Sequence, residues 1–400
     1  MKKKGVLFIF CVLVSILIFS GNARVNAKEV RGVSDDTIKI AFITDLTGVT
    51  ATFYRPVTDA FRNYFKYVND EGGINGRKVK VLIEDDHYSI PSALACFKKL
   101  VFRDKVLAFF GPSGTGHSVA LYPQVQKEKV PNLAMTIAEI AFKPFKRYVF
   151  VFGASYDDQF NLLFEYIMKD LKAKNPVIGI VRYDNEWGKV GLNLTKARTR
   201  HYNLKLREEV IPVTALDATT QVLSLKRAKV DYIIGQMGVG GLVLLLREAK
   251  KYRLDATIIG TYAGCSQDVV RGAGKAAKNY IGTQCFNSWH DDSPGIKNMK
   301  EITGRYDPGV KEKPRGYTMG WTAGIILTEG MKRAGKNLNN ESLVNALETL
   351  KGFDPGDMCS PITFTSSNHK GADYCRIYKA DVERGILVPD TGWRKPASIE

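Results

Sequence analysis

Residues 68–86 read VNDEGGINGRKVKVLIEDD, and this stretch decides the fold. It holds the end of one helix, a stop and a strand. Val57, Ala60, Phe61, Tyr64, Phe65 and Val68 recur at helical spacing. Gly72-Gly73 stops that helix. RKVKVLIEDD then reads as a strand. Outward from here the same alternation continues. TIKIAFI (37–43) precedes the helix as a buried-strand run, and PSALACFKKLVF (91–102) follows the second strand as a helix. VLAFF (106–110) leads into GPSGTGHS (111–118), a helix to about Gln126, and a fourth strand, VPNLAM (130–135). The pattern restarts after Gly153. A helix is expected from about Gln159 to Lys172. Strands PVIGIVRY, LREEVIPV, VDYIIG and ATIIGTY then alternate with helices starting near Trp187 and Gly241. Such βαβ series build parallel sheets covered by helices on both faces. Two of them predict an α/β protein of two doubly wound parallel-sheet lobes.

The chain opens with Lys2, Lys3 and Lys4, an apolar run from Val6 to Phe19, and the small-residue pattern Val25-Asn26-Ala27. That order predicts a cleaved secretory signal peptide over residues 1–27, because the apolar run is too short to span a bilayer. Cys11 lies inside the run and no cysteine sits near the cleavage site, so no lipid anchor is expected. The predicted location is the periplasm. The whole sequence carries a net charge of +17; its first 27 residues hold four cations and no acid, which leaves +13. The basic residues are scattered, without a block or an aromatic-interleaved stripe. This argues against nucleic acid as a partner.

Five cysteines follow the leader. Cys359 and Cys375 flank SPITFTSSNHKGADY, which reads as two strands around a turn, so a disulfide is expected there. A loop that short contributes roughly 3 kcal/mol. Cys265 with Cys285 is a weaker pairing, leaving Cys96 free. No metal-ligand spacing such as C-x-x-C occurs, and neither a metal nor a cofactor is expected.

In doubly wound lobes a ligand sits beyond the carboxyl ends of the strands. The loop GPSGTGHS stands at such an end. It has both glycines and the final serine of a phosphate-binding P-loop, but His117 replaces the lysine that reaches the phosphates. It is also no nucleophile elbow, since Thr115 takes the last glycine position. No Ser/His/Asp or Cys/His set is apparent, so no catalytic residue is assigned and no enzyme is expected. His117 reads as a surface helix residue.

IKIAFITDLTG, VNDEGGINGRKVKVLIEDD and FFGPSGTGHS together resemble the type I periplasmic solute-binding proteins. The most similar group is the leucine/isoleucine/valine-binding proteins of ABC importers. The resemblance runs nearly to the chain end, through PITFTSSNHKGADYCRIYKA. It implies two lobes joined by three crossovers, here near Gly153, Cys285 and Asp354. Residues 28–153 with 286–354 would form one lobe, and 154–285 with 355–400 the other. It implies capture of a small carboxylate ligand between the lobes, then delivery to membrane permease subunits by a protein that works as a monomer. An extracellular sensing module is the alternative use of such a cleft, and a secreted hydrolase a third.

The resemblance also assigns residues. Ser113, Gly114 and Thr115, with Ala134 and Thr136 from the next strand end, would hold the carboxylate at a helix N-terminus. Phe53, Tyr54, Tyr156 and Trp187 would line the side-chain pocket. Tyr262 stands where amino-acid-binding members carry an acid that pairs with the ligand ammonium, and Gly238 replaces an aromatic. Either Asp45, Asp157 or Asp184 supplies the missing acid, or the ligand has no amine and a bulkier body.

Overall fold

The computed structural model describes residues 30–399. The expected leader lies outside the described residues. The first sheet is entirely parallel. Its strands are β1 (Thr37–Thr44), β2 (Lys78–Asp85), β3 (Ala108–Phe110), β4 (Asn132–Leu133) and β5 (Val149–Phe150), in the order β2-β1-β3-β4-β5. β1 pairs with β2 from Thr37–Lys78 to Thr44–Asp85. Ile38, Ile40, Phe42 and Ile43 of β1 are fully buried. A parallel strand covered on both faces must read as a continuous apolar run, which is what TIKIAFI does.

The second sheet holds β6 (Ile178–Tyr183), β7 (Leu206–Ile211), β8 (Tyr232–Gln236), β9 (Thr257–Gly260), β10 (Ile281–Gln284), β11 (Arg376–Asp381) and β12 (Ile386–Pro389). The order is β12-β11-β10-β9-β8-β6-β7. β11 and β12 run antiparallel to their neighbours; the rest are parallel. The chain leaves the first sheet after Phe150, returns to helices of that side after Gln284, and leaves again after Leu347. These passages contain Gly153, Cys285 and Asp354, and we propose them as the lobe boundaries. The larger apolar cluster spans both sheets, with Ile178, Ile234 and Ile281 joining the first-lobe rings. A smaller one belongs to the second sheet alone.

Helix Gly316–Ala334 returns from the second crossover and packs along helix Ala51–Asp70. The contact is backbone-close. A methyl at Gly320 would lie 2.0 Å from the Val57 carbonyl oxygen, and one at Gly324 would lie 2.3 Å from the Tyr64 ring. Only glycine allows that approach.

Two expectations are corrected. The helix read from Gln159 to Lys172 starts at Tyr156, where Ser155 and Asp158 form a capping box; its α-helical part ends at Glu165 and a wider turn, Tyr166–Asp170, continues it. The disulfides are absent. All five described cysteines are free and buried. In the backbone Cys359 forms an isolated bridge with Phe286, and Cys375 with Arg394. The stretch between them folds on a Thr365–Asn368 turn and a Phe353–Ile362 bridge, not as one hairpin closed at its cysteines. Burial pushes the Cys96 and Cys265 thiols up to about 11, and Cys285, Cys359 and Cys375 up as well. Burial thus favours the thiol over the reactive thiolate at all five. Among the described residues no helix is long and apolar enough to cross a membrane.

Candidate functional site

The carboxyl ends of the two sheets face one cavity of about 960 Å³. The first lobe presents Phe53, Tyr54, Gly114, Thr115 and Thr136 to it; the second presents Tyr156, Trp187, Gly238 and Tyr262. Nine residues expected at the site thus meet there. Two do not line it. Ser113 is fully buried, and Ala134 is only 1% exposed, its N–H bonded to the Phe150 carbonyl in the sheet.

The glycine-rich loop explains Ser113. Its hydroxyl reaches both carboxylate oxygens of Asp86 at 2.5 Å, and its N–H donates to Asp86 Oδ2 at 3.1 Å. The Tyr88 N–H donates to Asp86 Oδ1 at 3.0 Å. Asp86 is fully buried at the end of β2, and burial holds its carboxyl above the usual range despite these donors. The chain therefore supplies its own carboxylate to the loop. Gly114 has φ +79° at the start of helix Thr115–Glu128, and its N–H donates to the Tyr54 phenol oxygen at 2.8 Å. The hydroxyls of Thr115 and Thr136 lie 2.9 Å apart at the cavity wall.

His117 is corrected from a surface residue to a buried one, 6% exposed, with its ring 4.7 Å from that of Tyr88. A methyl on Gly114 would meet His117 Nδ1 at 2.7 Å, so the histidine fills the space under the loop. Burial lowers its pKa, and the neighbouring Asp86 opposes that shift.

The second-lobe wall is aromatic. Trp187 is half-buried in the first turn of helix Glu186–His201, where Asn185 caps by accepting the Gly188 N–H at 2.9 Å. Its indole Nε1 has no partner. Tyr183 stands beside it, ring centroids 6.3 Å apart. A methyl on Gly241 would come 2.7 Å from the Tyr183 hydroxyl. Tyr183 thus takes part of the space that the glycines at 238–241 leave. Tyr262 meets Phe53 at 6.1 Å and Tyr156 at 6.3 Å, and its hydroxyl is directed at Met319 Sδ. Burial raises the phenols of Tyr54, Tyr156 and Tyr262, and takes Tyr88 up to about 12. Each stays a neutral hydrogen-bond donor.

None of the three spare aspartates lines the cavity. Asp45 accepts from the Gly48 N–H and from the N–H and hydroxyl of Thr50. Asp157 pairs with Arg198. Asp184 is exposed and lies 3.8 Å from Arg182. The one carboxylate on the cavity wall is Asp268, with Arg55 and Arg247 as cations. The sequence reading missed Asp86, Tyr88, Tyr183 and Asp268. Asp86 ends the motif VNDEGGINGRKVKVLIEDD itself, and Tyr183 closes the strand that PVIGIVRY predicts. Among the described residues no cluster of His, Cys, Asp and Glu could hold a metal.

The comparisons agree with this geometry. The family model described as periplasmic binding protein matches residues 37–385. A Leu/Ile/Val-binding protein of Rhizobium johnstonii is 25% identical over 324 residues, which is 78% of this chain and 84% of that protein. A branched-chain amino acid ABC transporter structure from Thermus thermophilus, with bound valine, has a TM-score of 0.85 and 26% identity, covering 92% of this chain and 98% of that one. A fatty acid ABC transporter substrate-binding protein from Thermomonospora curvata shares the fold at a TM-score of 0.84 and 23% identity, over 93% and 97% of the two chains. With a two-lobed cavity and a family match over most of its length, the chain belongs to the periplasmic binding proteins, which bind ligands for transport and are not enzymes.

Proposed function

We propose that this protein is the substrate-binding component of an ABC importer, and that its cleft takes an amine-free carboxylic acid with an apolar or aromatic body. The observation that carries the ligand class is the composition of the cavity wall. Seven aromatic rings face about 960 Å³, and Asp268 is its single carboxylate. An ammonium buried there without a carboxylate partner is costly. Tyr262, at the family's acidic position, is neutral and turned to Met319. The relatives named for branched-chain amino acids and for a fatty acid bracket the proposed chemistry.

Thermal shift on the purified protein tests it with matched pairs: leucine beside 4-methylpentanoate, and phenylalanine beside 3-phenylpropanoate. A micromolar ligand at millimolar concentration adds roughly 4 kcal/mol of stability. The amine-free member of each pair is expected to raise the transition. A larger shift with the amino acids would defeat the proposal, and loss of that shift in Asp268→Asn would show which acid receives the amine.

A further inference from the structure

Leu216 is 94% exposed, more than any other large apolar side chain among the described residues, and it lies on the wall of the main cavity. Val49, 56% exposed, lies on the same wall from the first sheet's side, in the loop after β1. Apolar side chains exposed singly are ordinary, but several along one groove mark a binding surface. Helix Val239–Lys251 adds to this wall, because it is apolar on two sides. Leu242, Leu245, Leu246 and Ala249 are buried in the second-lobe core. Val239, Val243 and Leu244 are half-buried and line the cavity. A helix covering a core needs one apolar stripe, and its other side is normally polar. Here the second side is only partly used by the core: Leu244, like Leu216 and Val49, belongs to neither apolar cluster. The strand order places this surface. Tyr262 follows β9, Gly238 follows β8, Trp187 follows β6 and Leu216 follows β7, the edge strand. Three strand spacings from β9 to β7 make this row of loops about 14 Å long.

Resting on the carboxylate reading above, we propose that the ligand is a long acid: its carboxylate lies by the Thr115 and Thr136 hydroxyls, its chain crosses the aromatic wall, and its apolar tail ends on a lip made by Leu216, Val243 and Leu244. Length decides this. An extended chain advances about 1.2 Å per bond, so a row of about 14 Å takes roughly ten carbons. Leucine, about five bonds from carboxylate oxygen to methyl, spans roughly 6 Å by the same measure and leaves the lip in water. A cavity of about 960 Å³ is also at the upper end of the range that takes a drug-sized ligand. Two cations, Arg55 and Arg247, line the same cavity, and each donates to a backbone carbonyl, of Leu46 and Gly272 respectively. Whether the far end of the ligand is apolar or charged is therefore part of the test.

Calorimetric titration of the purified protein with hexanoate, octanoate and decanoate, each below its micellar concentration, tests this. Affinity is expected to rise by about fourfold for each methylene that is covered. Leu216→Ser should lower the ratio of decanoate to hexanoate affinity by about tenfold, the worth of covering one leucine side chain. Leu216 is almost wholly exposed, so its replacement disturbs no packing. Acids that bind with an affinity no higher for decanoate than for hexanoate overturn the inference and leave the carboxylate reading standing. An unchanged ratio in Leu216→Ser overturns it as well, since the tail then ends short of the lip. Decanedioate binding more tightly than decanoate overturns the apolar tail in favour of a second acid held by Arg55 or Arg247. Binding of decanoate that does not saturate is partition onto an exposed surface and also overturns it. Decanamide as tight as decanoate, with the length dependence intact, overturns the carboxylate reading and leaves the lip. A protein that binds leucine and none of these acids overturns both.

Discussion

Two ends of the same cleft treat polar groups differently. At the glycine-rich loop the Ser113 hydroxyl and N–H hold Asp86 and the Gly114 N–H meets Tyr54, while the buried His117 Nε2 has no partner. Arg315 is also buried and, among the described residues, has no carboxylate within 4.0 Å, although the nearby Asp291 favours its charge. A loop with a strong sequence motif thus spends part of its hydrogen-bonding capacity inside the chain and keeps Thr115 and Thr136 on the cavity wall. Buried polar groups without partners are rare because they are costly.

The contrast can be broken most sharply at Asp86. Asp86→Ala would strand the Ser113 hydroxyl, the Ser113 N–H and the Tyr88 N–H in a buried site. We expect a loss of roughly 3 kcal/mol, since each orphaned buried donor costs about 1–3 kcal/mol; chemical denaturation measures it. A much smaller loss would mean the loop is not internally satisfied. Next, Trp187→Ala should weaken the wild-type acid ligand by about 2 kcal/mol, or roughly thirtyfold, through lost apolar cover, with stability less affected because the ring is only half-buried. Calorimetric titration reads it, and unchanged affinity would leave the aromatic wall without a role in binding. The smallest expected effect is Tyr54→Phe. It frees the Gly114 N–H, at a stability cost of about 1 kcal/mol, which chemical denaturation measures. Carboxylate binding that tightens in this variant would place the anion at the loop.

Periodicity made the fold legible. TIKIAFI and PVIGIVRY are buried on both faces, and such strands have only one pattern. β10 escaped because Ile281–Gln284 contains Gly, Thr and Gln in place of an apolar run. The strand ends that form the cavity were legible for a topological reason: in this architecture they must gather. What each side chain does there was not. Asp86 and Ser113 meet only through the fold, and sequence spacing says nothing of a 2.5 Å contact. His117 was misjudged because its helix, Thr115–Glu128, buries the face that carries it. The expected cysteine pairing is not made, because sequence spacing says nothing of side-chain geometry and both thiols are buried and free. Arg315 lies in KPRGY, a stretch with no motif; its burial appears only in the fold.

The glycines of helix Gly316–Ala334 have a consequence for anyone reshaping this cleft. With Gly320 against the Val57 carbonyl and Gly324 against the Tyr64 ring, the two helices have no clearance between them. Five residues of helix span about 7.5 Å, so Gly320 sets the seat of the helix about one and a half turns from Arg315. A change of specificity sought by remodelling the pocket wall would act through side chains that can swing. The same change made at Gly320 would act through a joint without play, shifting the whole rod and the charge at its tip.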